Sequence, residues 1–287
     1  MEYCDVLIVG GGVAGIMTAK SIAGKGMQVC LVDTKSSLGG ILLQCFHHGF
    51  GQGKDGPTYI QELTSDFPDS VRVLLHTTVL SVSEEKVAHL IGTEIGEQFF
   101  SFDQLVLATG CYEIPIGALP VAGTRPNGIY TAGQMQEMIN LYGFNPKGPI
   151  VILGSGDLGL IMAAQLGRIG IDVTIIEKKA CCGGLKHNQN CLNLRNIHLI
   201  CQNTVQEIYG KHSLIGVRLT NGVYLPCKTL LVAVGLRPEQ SLAKYTDDKP
   251  WLHFCGNCHK VQAMVEGVIR EGKEVGRKVF LSMEGRQ

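Results

Sequence analysis

The sequence lacks a net charge, a long apolar run and a basic leader. Its 25 Lys and Arg residues balance 25 Asp and Glu residues, which gives no electrostatic reason to bind nucleic acid or an anionic membrane. No stretch reaches the about 18 uninterrupted apolar residues that a membrane helix needs. The apolar run 6–19 follows Glu2 and Asp5 rather than basic residues, which disfavours a signal peptide. We therefore predict no nucleic-acid partner and no membrane span.

Few charged residues and many glycines indicate a folded chain whose backbone contacts a ligand. Charged residues make up 17% of the chain, below the average of about 25%, so disorder is not expected. The length of 287 residues fits about two domains. The 37 glycines predict backbone that turns tightly or lies against a ligand. Eleven cysteines without an export signal indicate reduced thiols and a cytoplasmic location.

A diffuse internal duplication relates the two halves of the chain, at the offset that separates Gly10 from Gly154. Residues 6–15 (VLIVGGGVAG) and 150–159 (IVILGSGDLG) each join an apolar run to a GxGxxG loop. A second apolar run follows each loop and ends in an acid, Asp33 or Glu177, and a glycine pair follows each acid. Two such units predict two dinucleotide sites, and the alternative is one working site beside a decayed copy.

Each loop has the chemistry that a pyrophosphate needs. The apolar runs predict parallel strands buried on both faces. The first glycine makes the turn, the second lets the pyrophosphate approach the backbone, and the third lets the helix pack on the strand. The helix N terminus adds free N–H groups and a partial positive charge. Asp33 and Glu177 then stand where a carboxylate accepts the ribose hydroxyls of an adenosine.

The order of these motifs predicts an α/β fold with two Rossmann-like dinucleotide-binding domains, the second inserted into the first. Residues 236–287 are too few for a third domain, and their amphipathic segment 261–279 predicts a helix. This tail most simply returns to complete the first domain. We expect a split first domain at residues 1–115 and 238–287, and a second domain at residues 116–237.

The chain resembles the FAD/NAD(P)-dependent pyridine nucleotide oxidoreductases of the short thioredoxin-reductase-like type, over essentially its whole length. The resemblance is sharpest in residues 38–51, 123–136, 154–163, 183–188 and 254–257. These segments are similar to the FAD-dependent oxidoreductases associated with glycerol-3-phosphate dehydrogenase. They are also similar to the pyridine-nucleotide-type subunits of heteromeric sarcosine, opine and cyanide-forming glycine oxidases. The resemblance implies FAD in the split domain and NAD(P)H in the inserted one.

Carried over to this sequence, the resemblance implies one set of residues for each cofactor. The FAD set is Gly10, Gly12, Val13, Ala14, Gly15, Asp33, Gly39, Gly40, Ile41, Val79, Ala108, Thr109, Gly110, Gly256 and Asn257. The NAD(P)H set is Gly154, Ser155, Gly156, Asp157, Leu158, Gly159, Glu177 and Gly235. Asn257 stands where the wider family has Asp, and an amide can still hydrogen-bond a ribityl hydroxyl.

The residues around Glu177 favour NADH over NADPH. An acid at this position repels the 2′-phosphate of NADPH. Lys178 and Lys179 follow directly and could pair with that phosphate. NADPH therefore stays the alternative.

The sequence lacks the paired cysteines of the disulfide reductases that it resembles. Thioredoxin reductases carry a CxxC shortly before the second glycine loop, where residues 123–154 hold no cysteine. Glutathione-reductase-like enzymes place two cysteines soon after the first glycine pair, where this chain has only Cys45. Both known arrangements for disulfide reduction are therefore disfavoured.

The remaining cysteines are interpreted as packed thiols. Cys255 and Cys258 form a CGNC motif followed by His259, for which a redox pair and a covalent haem are the alternatives. A second group has spacing that matches neither a zinc site nor an iron–sulfur cluster, so no metal is predicted. This group is Cys181, Cys182, Cys191 and Cys201.

Cys45, His47 and His48 form a reactive polar cluster after the first glycine pair. If this segment runs past the flavin ring, these residues face the substrate, and histidine suits proton transfer near neutral pH. We take them as candidate catalytic residues. The alternative is a surface loop, which the glycine-rich run 49–57 favours.

Two functions are compatible with these features. The first is a flavoprotein oxidoreductase that moves a hydride between NAD(P)H and FAD and on to an unidentified acceptor, such as a small electron-transfer protein. The second is an FAD-containing electron-relay subunit of a heteromeric dehydrogenase or oxidase of glycerol-3-phosphate, sarcosine or opine type. Two intact glycine loops favour the first, whereas a shortened stretch before Cys255, with a polar turn-like segment at 246–251, favours a partner-covered surface. A thiol reductase using Cys255 and Cys258, and a homo-oligomer, also stay open.

Overall fold

A computed structural model describes residues 1–243 and 249–284 of the chain. These residues form two compact units. Unit 1 comprises residues 1–112 and 237–287, and unit 2 comprises residues 113–236. The chain therefore leaves unit 1, builds all of unit 2, and then returns. Which cofactor belongs to which unit is taken up as a proposal below.

Strands and helices alternate in the α/β manner along the described residues. The elements of the first half are β1 (Glu2–Val9), α1 (Val13–Ile22), β2 (Val29–Val32), α2 (Gly56–Thr64), β3 (Val71–Leu74), β4 (Thr77–Val82), β5 (Val87–Gly92), β6 (Gly96–Leu107), β7 (Cys111–Glu113), β8 (Ala122–Gly123), β9 (Ile129–Thr131) and α3 (Ala132–Tyr142). Those of the second half are β10 (Ile150–Leu153), α4 (Asp157–Arg168), β11 (Val173–Ile176), α5 (Lys186–Gln189), β12 (Ile197–Ile200), β13 (Val205–Gly210), β14 (Leu214–Leu219), β15 (Tyr224–Pro226), β16 (Thr229–Val232), β17 (Leu236–Pro238), β18 (Leu252–Phe254) and α6 (Val265–Glu284).

The main sheet of unit 1 places the first glycine loop at one edge. In the described part of the unit its strand order is β3-β2-β1-β6-β5-β4, and β18 pairs with β6. Because β1 runs parallel to β2 and to β6, the carboxyl ends of these three strands meet at the same edge. Gly10, Asp33 and Ala108 follow directly after those ends. The sheet therefore brings together residues that are far apart in sequence.

Unit 2 repeats this arrangement with a smaller sheet. Its described strands run β12-β11-β10-β16-β9, and every pairing in this sheet is parallel. Gly154, Glu177 and Ala233 follow the carboxyl ends of β10, β11 and β16. A second sheet in the order β15-β14-β13-β8 completes the unit, while β7 and β17 pair with each other. The second glycine loop is thus held by the same kind of frame as the first.

The C-terminal helix packs on α1 through two glycines. A Cβ added at Gly272 would lie 2.8 Å from the Cβ of Met17, and one at Gly276 would lie 2.7 Å from the Cβ of Ser21. Only glycine allows helices to approach this closely without displacing a neighbour. The tail of the chain therefore belongs to the core of unit 1.

The predicted helix 261–279 begins later than its apolar pattern suggests. The helix α6 starts at Val265 and continues to Glu284, so residues 261–264 precede it. The side-chain oxygen of Asn257 accepts a hydrogen bond from the N–H of Gln262 at 3.0 Å, in the stretch just before the helix. The periodicity of the sequence does not encode this contact.

The described end of the polar segment 246–251 forms a turn at Pro250 and Trp251. Residues 246–248 lie outside the described residues, but Trp251 is buried, and its ring lies 5.6 Å from that of Phe102, centroid to centroid. The end of this segment is therefore core of unit 1 rather than surface. Among the described residues, no helix has the length and apolarity that crossing a bilayer requires.

Candidate functional site

The first glycine loop is shaped by two close backbone approaches. Gly10 has a φ of +108°, and a Cβ there would lie 2.3 Å from the carbonyl oxygen of Ala108. A Cβ at Gly15 would lie 1.9 Å from the carbonyl oxygen of Gly10. Neither position has room for a side chain. The loop therefore turns sharply off β1 and lets α1 begin directly against the strand.

The middle glycine of this loop is different because nothing crowds it. Gly12 has an ordinary φ of −75°, and the nearest neighbour of an added Cβ would be the Cα of Gly40 at 3.9 Å. Gly12 is the N-cap of α1 and supplies no side-chain cap, so the first N–H groups of this helix are open to an external acceptor. This open, donor-lined position fits a pyrophosphate.

The acid at the end of β2 is fixed beside the loop. Its carboxylate accepts hydrogen bonds from the N–H of Gly11 at 2.5 Å and of Lys35 at 2.7 Å. The backbone carbonyl of Asp33 also accepts from the N–H of Thr77, at the start of β4, at 2.9 Å. Asp33 is therefore oriented at the sheet edge, and Val79 lies on the strand that begins beside it.

The late Gly-Asn pair also reaches this edge. A Cβ at Gly256 would lie 2.7 Å from the Cβ of Ala14, in the first turn of α1. The structure thus gathers Gly256 and Asn257 at the loop formed by residues 10–15. The glycine pair lies there too, since the N–H of Gly39 donates to the carbonyl of Gly11 at 2.8 Å. Ile41, which follows this pair, is exposed.

The second glycine loop reproduces the first in its backbone. Gly154 has the same φ of +108°, and a Cβ there would lie 2.3 Å from the carbonyl oxygen of Ala233. A Cβ at Gly159 would lie 2.3 Å from the carbonyl oxygen of Gly154. Nothing lies within 4 Å of a Cβ added at Gly156. Unit 2 therefore has its own tight turn, close helix packing and open phosphate position.

The acid of the second loop is held more firmly than Asp33. Glu177 is buried, and its carboxylate accepts from the N–H and the hydroxyl of Ser155, at 3.0 and 2.5 Å, and from the N–H of Lys179 at 2.8 Å. Burial by itself would raise the pKa of Glu177, but the hydrogen bonds from Ser155 and Lys179 outweigh it, and the pKa is lowered. Glu177 therefore carries its charge at neutral pH.

The candidate catalytic cluster separates into three different environments. Cys45 is buried, its thiol donates to the carbonyl of Ile41 at 3.2 Å, and burial raises its pKa to about 12. Because the nucleophilic form of cysteine is the thiolate, a protonated Cys45 does not support the catalytic assignment. His48 is exposed on the loop.

Of the three residues in the cluster, His47 is the one whose environment suits ligand binding or proton transfer. Its Nδ1 atom is buried and has no hydrogen-bond partner among the described residues. Burial, together with the nearby His48, lowers the pKa of His47. The ring packs at 5.1 Å, centroid to centroid, from that of Phe50. A neutral imidazole with an unpaired buried nitrogen is suited to bind a ligand or transfer a proton.

The CGNC cysteines are packed thiols in this structure. Cys255 and Cys258 are both fully buried, and the thiol of Cys258 donates to the carbonyl of Leu107 at 2.7 Å. Burial raises the pKa of Cys255 to about 12 and also raises that of Cys258. Every described cysteine is a free thiol, and no metal-binding group occurs among the described residues.

Two supporting residues escaped the sequence patterns. Glu271, on α6, accepts from the N–H of Gly256 at 3.2 Å and contacts His259 at 2.5 Å. Asn188 donates its side-chain amide to Asp157 at 2.7 Å. Helical periodicity places Glu271 on the polar face of its helix, but no local signal pairs either residue with a loop.

Fold and site together define a protein with two Rossmann-type dinucleotide cradles, one in each unit. The first cradle is formed by residues 10–15 and Asp33, and the second by residues 154–159 and Glu177. The family model described as pyridine nucleotide-disulphide oxidoreductase matches residues 4–251. The chain belongs to this family, whose members are in general flavoprotein oxidoreductases that depend on FAD and NAD(P). The predicted family and fold class are therefore confirmed.

Two curated relatives match most of the length of this chain. It is 30% identical over 224 residues to the hydrogen cyanide synthase subunit HcnB of Pseudomonas protegens, covering 76% of this chain and 47% of the relative. It is 28% identical over 274 residues to an opine oxidase subunit of Rhizobium meliloti, covering 84% and 52%. The chain thus spans about half the length of these curated relatives.

A solved structure with the same fold is the thioredoxin reductase of T. acidophilum. It superposes with a TM-score of 0.79 at 19% identity, covering 98% of this chain and 99% of that one. At this identity the similarity concerns the fold.

Proposed function

We propose that the chain is a flavoprotein oxidoreductase with FAD in unit 1 and NADH in unit 2. When bound, the two cofactors would supply hydride transfer between NADH and the flavin, and the electrons would go on to an acceptor that the sequence does not identify. The observation that carries this proposal is the pair of cradles with matched backbone geometry. In both, the phosphate position at Gly12 or Gly156 is open while the flanking glycines are crowded by backbone.

In unit 1, the open N terminus of α1 would bind the FAD pyrophosphate, with Asp33 on the adenosine ribose. Gly256, whose N–H donates to Glu271, and the adjacent Asn257 lie at the same helix end and would meet the ribityl side. Ala108, Thr109 and Gly110 follow the carboxyl end of β6 at this edge. When bound, the flavin would supply two-electron chemistry, and these residues would position it.

In unit 2, the charge of Glu177 supports NADH rather than NADPH. Its pKa is lowered, so the carboxylate is ionised at neutral pH and would repel a 2′-phosphate. Its hydrogen bonds to Ser155 and Lys179 hold it at the end of β11. Lys178 and Lys179 are the residues by which NADPH would bind instead.

His47 is proposed to handle a proton at the acceptor side of unit 1. Reducing most organic acceptors by two electrons consumes a proton as well as a hydride. A neutral His47 with an unpaired Nδ1 can bind such an acceptor or carry its proton. His48 is exposed, and the thiol of Cys45 stays protonated, so His47 is the stronger candidate of the three.

A second candidate function is an FAD-containing electron-relay subunit whose partner oxidises the organic substrate. Three relatives are named as subunits: of hydrogen cyanide synthase, opine oxidase and sarcosine oxidase. The chain covers only 20 to 52% of those relatives. The buried, protonated Cys255 and Cys258 offer no thiol route for electrons. A cytoplasmic location and a homo-oligomer stay predictions.

Two matched variants test the assignment of the cofactors. Gly12→Ala and Gly156→Ala add a methyl group with ordinary φ to open space, so both variants should fold like the wild type. We expect Gly12→Ala to lose bound FAD while still binding NADH. We expect Gly156→Ala to stay yellow but to lose NADH binding at least about tenfold. The reverse pattern, or a wild-type protein that cannot be loaded with flavin, would refute the assignment.

Anaerobic addition of NADH then separates the two functions. Rapid bleaching of the flavin absorption in the purified chain supports the oxidoreductase. If bleaching occurs only once the organic substrate and the partner that oxidises it are present, the relay role is favoured.

A further inference from the structure

The two cradles differ at two positions of the glycine loop and the helix start. Where the first loop has Gly11 and Val13, the second has Ser155 and Asp157, each with a polar side chain. Both polar side chains accept hydrogen bonds from the segment 183–188, which begins with the second glycine pair. The hydroxyl of Ser155 accepts from the N–H of Gly183 at 2.7 Å. The second cradle is thus covered by hydrogen bonds that the first cannot make.

Asp157 is the first residue of α4, and its carboxylate is fixed there. One oxygen accepts from the N–H of Leu185 and from the side-chain amide of Asn188, both at 2.7 Å. Gly184 packs directly on this end of the helix, since a Cβ there would lie 3.0 Å from the same oxygen and 3.1 Å from the amide nitrogen of Asp157. A formal negative charge is therefore built into the helix N terminus that would bind a pyrophosphate.

This charge acts in opposite directions on the empty and the occupied site. In the empty site, a carboxylate at a helix N terminus stabilises the helix dipole. In the occupied site, the same carboxylate would lie at the helix end that binds a pyrophosphate of like charge. Both cradles have a strand-end acid, Asp33 or Glu177, but the first has Val13 where the second adds the charge of Asp157.

We propose that Asp157 sets the affinity and residence time of the second dinucleotide. Its carboxylate stabilises the N terminus of α4 when no dinucleotide is bound, and it speeds the release of a bound dinucleotide. Such release is required of a cofactor that must exchange at every turnover. The first cradle lacks this residue and retains its cofactor. This inference rests on the proposed function, because it assumes that unit 2 binds a nicotinamide dinucleotide.

The variant Asp157→Asn tests this charge alone. Its side-chain oxygen can still accept from Leu185 and Asn188, whereas the negative charge is gone. We expect the Kd for NADH to fall about three- to tenfold, as expected for a charge at a helix terminus, with a slower dissociation rate. The gain should shrink as salt is raised, because screening weakens the repulsion. Titration calorimetry and stopped-flow displacement measure the two quantities.

Two further variants serve as controls. Asp172→Asn removes an exposed charge just before β11, at the opposite end of that strand from Glu177, and should leave the Kd unchanged. Asp157→Ser removes the charge through a short side chain that suits a helix N terminus, and it should also tighten binding if Asp157→Asn folds poorly.

The outcomes separate this inference from the proposed function. If wild type and both Asp157 variants bind NADH with equal Kd, or the variants bind more weakly, the role of Asp157 is refuted and the cofactor assignment stands. If none of these proteins binds NADH or ADP-ribose, the assignment of unit 2 fails, and the inference fails with it.

Discussion

The two glycine loops of this protein share one backbone and differ in their side chains. Gly10 and Gly154 have the same φ of +108° and lie equally close to a strand-end carbonyl. Asp33 and Glu177 each accept two backbone N–H groups from equivalent positions. The difference lies in what covers each loop. The side chain of Leu38 packs on the first loop, whereas Ser155 and Asp157 hydrogen-bond the segment that covers the second.

The reason for this difference is visible at position 11. A Cβ at Gly11 would lie 2.6 Å from the side chain of Leu38 and 2.9 Å from a carboxylate oxygen of Asp33. Leu38 occupies the space that the Ser155 side chain uses in the other loop. The first cradle is therefore covered by the apolar side chain of Leu38, and the second by the hydrogen bonds of Ser155 and Asp157.

The largest expected effect comes from the glycines that both loops need. Gly15→Ala and Gly159→Ala each force a methyl group against a backbone oxygen, at 1.9 and 2.3 Å, and each should destabilise its unit by about 3 kcal/mol or more. Urea unfolding followed by circular dichroism measures the change. Gly117→Ala, where an added Cβ meets nothing within 4 Å, is the control. If all three variants were equally stable, the close packing of Gly15 on Gly10 and of Gly159 on Gly154 would be refuted.

The next largest effect concerns the packing of Leu38 on Gly11 in the first loop. Gly11→Ser should cost about 1–3 kcal/mol because Leu38 must move. The double variant with Leu38→Ala should recover part of that loss, since it opens the space that Ser155 occupies in unit 2. Denaturant midpoints of the four proteins of this cycle give the coupling. Independent, additive effects would contradict the explanation.

A smaller effect concerns pH and the hydrogen bonds of Ser155 in the second loop. The lowered pKa of Glu177 stabilises the fold above its ordinary value of 4.5 and loses this contribution as the pH falls through the folded-state value. Ser155→Ala removes a hydrogen bond to the carboxylate and should cost about 1–2 kcal/mol at pH 7. The difference from wild type should shrink in acid, where the bond from the N–H of Gly183 is the part still lost. An equal difference at pH 7 and pH 3 would show that the charge of Glu177 plays no part.

The smallest effect contrasts the thiols of the two units. Cys181 is exposed, whereas Cys255 and Cys258 are fully buried with raised pKa values. Iodoacetamide should therefore label Cys181 first, as followed by peptide mass spectrometry. Cys258→Ser should leave turnover with an electron acceptor unchanged. Loss of turnover in that variant, with flavin reduction by NADH intact, would restore the thiol-reductase alternative.

Much of the fold was predictable because local patterns carry it. Apolar runs, glycine spacing and strand-end acids repeat at one offset, so the strands β1, β2, β10 and β11 and both cradles follow from the sequence. Two details depend on contacts that the periodicity does not encode. The helix α6 starts at Val265 rather than Val261, just after Gln262 donates its N–H to the side chain of Asn257. Trp251 packs against Phe102, which is distant in sequence.

By itself, the sequence determined that two dinucleotide cradles exist and where their turns, helices and acids lie, since each depends on residues close together along the chain. Only the tertiary structure decided how those cradles differ. The protonated state of Cys45, the unpaired nitrogen of His47 and the charge fixed at Asp157 all depend on burial and on partners from other segments. Desolvation and hydrogen bonding are properties of a folded environment, and no spacing along the chain encodes them.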